Sequence, residues 1–117
     1  MTPNQAAGTR PWEHEYRIAD TTIVAETVTL RVLLITLDPG DIVPWHYHST
    51  ITDRFFALEG VVVVETRAPR AHHALVAGAQ IEIGPKTAHQ VSNGGDGRAR
   101  FVLVQGVGSY DFVPVGR

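Results

Sequence analysis

Along the chain, short runs rich in Val, Ile, Leu, Thr and Phe alternate with clusters of Gly, Pro, Asp and Asn. The runs are TIVAETVTLRVLLITL (22–37), RFFALEG (54–60), VVVVETR (61–67), HHALVAG (72–78), QIEIGP (80–85), HQVSNGGDG (89–97) and RARFVLVQG (98–106), with DPGD (38–41) and APRA (68–71) among the breaks. Runs of this composition, bounded by turn signals about every 8–12 residues, predict the strands of a β-sandwich or small barrel. No stretch sustains the 3.6-residue period of an amphipathic helix. TLRVLLITL (29–37) and RFFALEG are apolar at both alternating positions, which predicts inner strands covered on both faces. Their β-branched content and the DPGD stop favour strand over helix. NGGDG (93–97) reads as a loop or hairpin tip.

Met1–Pro11 is polar, small and proline-bearing without either period, so it is expected to be a flexible arm, and residues 12–117 a single β-domain. The 117 residues, 44% hydrophobic and 19% charged, suit one globular domain with its own core. With a net charge of -2 and scattered basic residues there is no stripe for a nucleic acid to follow, and none is expected as a partner. The absence of cysteine removes disulfides, thiolate metal sites and a thiol nucleophile. No apolar run has the length of a signal peptide core or a membrane span, so no membrane partner and a soluble, cytoplasmic protein are expected.

The chemistry concentrates in PWHYHSTITDRFFALEG (44–60). Side chains two apart on a strand share a face, so His46 and His48 project together while Trp45 and Tyr47 project the other way. Asp53, beyond a plausible turn at STIT, would open the next antiparallel strand and face back at the pair, making the segment a ligand-bearing β-hairpin. His89 begins another short strand. Three imidazoles and one carboxylate suit one divalent transition ion among Mn, Fe, Co, Ni, Cu and Zn. Phe55, two beyond Asp53, and Val91 are expected to line a substrate pocket on the same face. Strand parity turns Arg54 away from it, to a surface or interface role. His14, His72 and His73 read as ordinary surface or core histidines. Trp45 and Tyr47 need a cover on the outer face: the N-terminal arm, the C-terminal YDFVPV, or a second subunit.

These residues resemble the cupins. The first motif of that family, Gly, His-x-His, Glu, Gly, is similar to Gly40, His46, His48, Asp53 and Gly60, with aspartate where glutamate is usual. The second is similar to Gly78, Pro85, His89 and Asn93, with Lys86 at the place of the turn glycine. The resemblance covers about Thr27 to Gly106 and implies an all-β, cupin-type double-stranded β-helix or jelly-roll barrel. It also implies a metal on His46, His48 and His89. Asp53 is one methylene shorter than glutamate: it binds the ion directly if its strand shifts inward, or acts through a water or by orienting a histidine. By the same resemblance a homodimer is expected. The leading expectation is a small metalloenzyme acting on a small oxygenated or aromatic molecule, with dioxygenase-like or isomerase/lyase-like chemistry. The alternatives are a non-catalytic metal- or ligand-binding module, a sensor or store, and a barrel with no metal.

Overall fold

The computed structural model describes residues 16–116, and among them all regular structure is β-strand. Ten strands follow in order: β1 Asp20–Glu26, β2 Leu30–Leu37, β3 Ile42–Tyr47, β4 Thr52–Glu59, β5 Val62–Arg67, β6 Arg70–Leu75, β7 Gln80–Ile83, β8 His89–Asn93, β9 Ala99–Gly106 and β10 Val113–Pro114. They form two antiparallel five-stranded sheets, β1-β2-β9-β4-β7 and β10-β3-β8-β5-β6. This is the expected all-β double-stranded architecture. The expected arm, Met1–Pro11, and His14 lie outside the described residues. No helix among the described residues is long and apolar enough to cross a membrane.

Three local expectations are corrected. The run 22–37 is two strands, β1 and β2. They are joined by a turn in which the Thr27 amide donates to Leu30 O at 2.7 Å and Val28, 96% exposed, forms the tip. The segment 44–60 is no hairpin: β3 pairs with β8 and β10, and β4 with β9 and β7, so the corner around Ile51 carries the chain from one sheet to the other. Ile51 is fully buried there, which anchors the crossing in the apolar interior. Finally, β2 and β4 are fully covered on one face and only partly on the other. Leu33, Ile35, Phe55 and Ala57 are buried, whereas Val32, Leu34 and Phe56 are half-buried and Leu58 is exposed.

The inward residues form rows across the first sheet. Register places Arg31 opposite Gln105 and Gln105 opposite Asp53, then Leu33, Leu103 and Phe55, then Ile35, Phe101 and Ala57. One end of the sandwich is therefore polar and the rest apolar, with the Phe55 and Phe101 rings 5.6 Å apart at the boundary. Burying each such ring contributes about 1.5–3 kcal/mol, so the core holds the polar end in place. Gly60 closes the β4–β5 turn at φ 70°, where a Cβ would meet Arg98 O at 2.3 Å; only glycine fits.

Candidate metal centre

Four buried side chains meet at the polar end. His46 comes from β3 and His48 from the corner just after it; His89 opens β8, directly opposite His46 in the ladder; Asp53 reaches across from β4 in the facing sheet. All four are at most 3% exposed. One ligand atom from each lies within 4.8 Å of the others, so the group is able to hold a metal ion.

Hydrogen bonds fix which atoms face inward. His46 Nδ1–H donates to Pro44 O at 2.7 Å, His48 Nδ1–H to Asp111 O at 2.5 Å and His89 Nδ1–H to Thr87 O at 2.8 Å. A carbonyl can only accept, so the proton of each neutral ring sits on Nδ1 and the Nε2 lone pair is left bare. Two of those lone pairs face Asp53 Oδ2, at 3.0 Å from His48 Nε2 and 2.9 Å from His89 Nε2. Acceptors set this close in a dry interior need a positive charge between them. That charge is either an added proton or a cation. Ligand atoms about 2.0–2.2 Å from a transition ion stand about 3 Å apart when they subtend a right angle. The Asp53 contacts match that edge, with β4 bringing the carboxylate in from the facing sheet.

The protonation balance of the bare site follows from the same contacts. Burial, reinforced by His89, pushes His46 down to about 3, so it stays neutral. Burial also opposes charge on His48, but its hydrogen bond to Asp53 and the carboxylate's charge outweigh this and raise it. Burial alone would raise Asp53; hydrogen bonds from His48 and His89 instead hold it well below the usual carboxylate range. An ionised Asp53 is thus built in.

Phe55 and Val91 line the cavity beside His46, His48 and Asp53. Tyr16, Tyr110, Phe112 and Gln105 also line it and were not singled out in the sequence. Phe112 stacks on His46 at 4.3 Å between centroids, and Tyr110 lies 5.5 Å from His48. Burial raises both tyrosines above their ordinary range and keeps the phenols protonated. Asp111 accepts from the Ser49 amide and hydroxyl and so ties the C-terminal segment to the corner that carries His48. Gln105 Nε2 donates to Asp53 Oδ1 at 3.0 Å. The free volume inside is narrow, ≈20 Å³, which holds one or two solvent-sized groups at roughly 10–15 Å³ each.

The remaining candidates lie elsewhere. Arg54 faces outward and pairs with Glu82 at 3.2 Å. His72 is exposed and His73 half-buried on β6, away from the centre. Trp45 and Tyr47 point outward and are half-buried, with the Arg67 guanidinium 4.3 Å over the indole. The C-terminal segment runs beside them: β10 pairs along the edge of β3, the Val115 amide donates to Trp45 O at 3.0 Å, and Tyr110 and Phe112 turn to the cavity. Asn93 is structural, donating to Leu37 O and Gly97 O. Lys86 takes the left-handed conformation, φ 61°, and its amide donates to His48 O at 2.7 Å.

A family model described as Cupin domain matches residues 33–105. No protein of curated function matches the sequence. Among solved structures, a conserved protein with a double-stranded β-helix domain from Klebsiella pneumoniae is similar at 22% identity and TM-score 0.73, over 90% of this chain and 94% of that one. Oxalate decarboxylase of Lactobacillus farciminis is similar at 19% identity and TM-score 0.66, over 74% of this chain but 27% of that one. An oxalate oxidase in complex with the substrate analogue glycolate is similar at 19% identity and TM-score 0.67, over 74% and 46%. At these identities the likeness establishes the fold, and the chain spans under half the length of either oxalate protein.

Proposed function

The chain belongs to the cupin domain family, and from that premise we propose that His46, His48, Asp53 and His89 hold one divalent transition ion that receives a small oxygenated molecule through two of its oxygens. The observation that carries this reading is the set of three Nδ1–H···O=C bonds, which leaves three Nε2 lone pairs bare beside Asp53, two of them on its Oδ2. Such carbonyl partners orient an imidazole ligand and raise its basicity. When bound, the ion supplies Lewis acidity, or a one-electron couple if it is iron, copper or manganese.

The chain's own residues supply the rest. Asp53 offsets one positive charge, Gln105 holds that carboxylate by its other oxygen, and Phe112 shields His46 from water. Tyr16 and Tyr110 offer phenolic walls. Asp53 is the only carboxylate among the described lining residues, so proton transfer would fall to it or to a phenol. Dioxygenase-like and isomerase- or lyase-like reactions both suit this set.

Metal analysis of protein purified without added cations tests the reading. One equivalent of metal, lost in both His46→Ala and His89→Ala, supports it; metal-free wild-type protein that stays empty in buffered Mn, Fe, Ni, Cu, Co or Zn overturns it. Metal-dependent turnover or oxygen uptake across a panel of diols, enols and hydroxy acids would identify an enzyme. A second reading, a non-catalytic metal- or ligand-binding module, draws support from the narrow interior that Phe112 lines. Ligand binding without turnover across that panel would favour it.

A further inference from the structure

Gln105 is the inward polar residue between Arg31 and Asp53, and it is 5% exposed. Its carboxamide has one possible orientation: only the NH2 end can face the ionised Asp53, to whose Oδ1 it donates at 3.0 Å. Oε1 is therefore the far end. That oxygen is buried and has no hydrogen-bond partner among the described residues, although Gln105 lines the same cavity as His46, His48 and Asp53. Folded proteins rarely leave a buried acceptor unpaired, and a guest's donor is a natural complement.

Charge narrows the guest further. Arg31, next to Gln105 in the row, is already balanced by Glu26 at 3.1 Å. A divalent ion with the Asp53 carboxylate would leave one positive charge in a dry interior, beside imidazoles that stay neutral once they give their Nε2 lone pairs to it. One negative charge balances it, and a dianion would leave an uncompensated charge. Resting on the metal reading above, we infer that the site selects small 2-hydroxy monocarboxylic acids, and that Gln105 Oε1 accepts the hydrogen of the guest's hydroxyl. Carboxylate and hydroxyl oxygens take the solvent-sized space in the cavity that Gln105 and Phe112 both line. A 2-oxo acid of the same skeleton and charge turns a carbonyl oxygen toward Oε1 and leaves two acceptors opposed. A site made to bond a hydroxyl discriminates strongly against the analogue that lacks it. Gln105 thus has two jobs, positioning Asp53 with one end and reading the ligand with the other.

Lactate and pyruvate, which differ by two hydrogens, are the probes. Each is titrated calorimetrically into the zinc-loaded full-length protein, wild type and Gln105→Leu, with zinc content measured in both. Wild type is expected to bind lactate at least about tenfold more tightly than pyruvate, and Gln105→Leu to bring the two within about threefold. Because the readout is the ratio, a general loosening of Asp53 in the variant does not imitate the result, and Gln105→Met serves if the leucine variant fails to fold. Equal affinities in wild type, a preference for pyruvate, binding of neither acid, or a lactate preference that survives the substitution overturns the inference. Stoichiometric zinc with any of those outcomes overturns it alone; wild-type protein that takes up no zinc or other transition ion removes the metal reading as well.

Discussion

Replacing His48 by alanine separates a ligand from a packing histidine. In chelator-treated protein the substitution removes the imidazole's contacts with Asp53 Oδ2 and Asp111 O and its packing on Tyr110. Leaving buried acceptors short of a donor costs about 1–3 kcal/mol each, with the Asp111 end partly repaired by solvent. With metal present there is a further loss. An ion bound only by the folded state stabilises by RT ln(1 + [L]/Kd), about 2.7 kcal/mol when the free ion stands at 100 times Kd. Unfolding entropy of about 2.1 cal/mol/K per residue gives this chain about 0.25 kcal/mol/K at its midpoint, so the ion raises wild-type Tm by about 11 °C. If losing one of four ligands weakens binding by about a thousandfold, the same free ion adds under about 0.1 kcal/mol to His48→Ala, by the same relation. Thermal melts followed by circular dichroism, in buffered zinc and in chelator, are expected to show a large metal-induced shift in wild type and almost none in the variant. Equal Tm losses with and without metal would mean that the imidazole only packs.

The metal-free protein should be most stable near pH 6.5. His46 has a folded pKa of about 3, below its ordinary 6.5, so its contribution is present above 6.5 and is lost as pH falls from there toward 3. His48 is shifted the other way, so its contribution is full below 6.5 and lost as pH rises through its raised value. Urea unfolding in chelator from pH 4 to 9 checks the maximum; a monotonic profile would contradict it. Lys86→Gly should raise stability by up to about 1 kcal/mol, because a left-handed lysine carries about 1–2 kcal/mol of strain and the gain is reduced by glycine's freedom in the unfolded chain; an unchanged or lowered urea midpoint refutes that account. Phe112→Ala uncovers the His46 ring and should speed removal of bound metal by a chelator several-fold, measured by stopped-flow with a coloured chelator; an unchanged rate would show that Phe112 is no barrier.

Strand parity made the centre legible. Asp53, Phe55, His89 and Val91 point inward as alternation requires, His46 does so after a register shift that resets the parity beyond Val43, and His48 joins them from the corner. Parity also exposes Gln105: in ARFVLVQ the inward positions Ala99, Phe101 and Leu103 are apolar and the fourth is an amide. That break in pattern was present in the sequence, but its meaning depends on the register that sets it beside Asp53. Tyr16, Tyr110 and Phe112 had no such signal. They sit in segments without a period, and what aims the latter two is the pairing of β10 with β3, more than 60 residues away in the chain. The turn at 27–29 was hidden because it contains no Gly or Pro. Local pattern likewise could not separate a hairpin at 48–51 from a crossing between sheets, since both reverse the chain and both place Asp53 near the histidines.

The crossing has a consequence that a hairpin would lack. His46 and His89 are neighbours in one sheet, while Asp53 is held in the other by a row running through Gln105 to Arg31. The distance between imidazoles and carboxylate is therefore set by the packing between sheets, through Phe55, Phe101, Leu33 and Ile35, and not by the stiffness of one turn. A closely packed core resists changes in that spacing. That packing already sets Asp53 Oδ2 3.0 Å from His48 Nε2 and 2.9 Å from His89 Nε2, short as the side chain is.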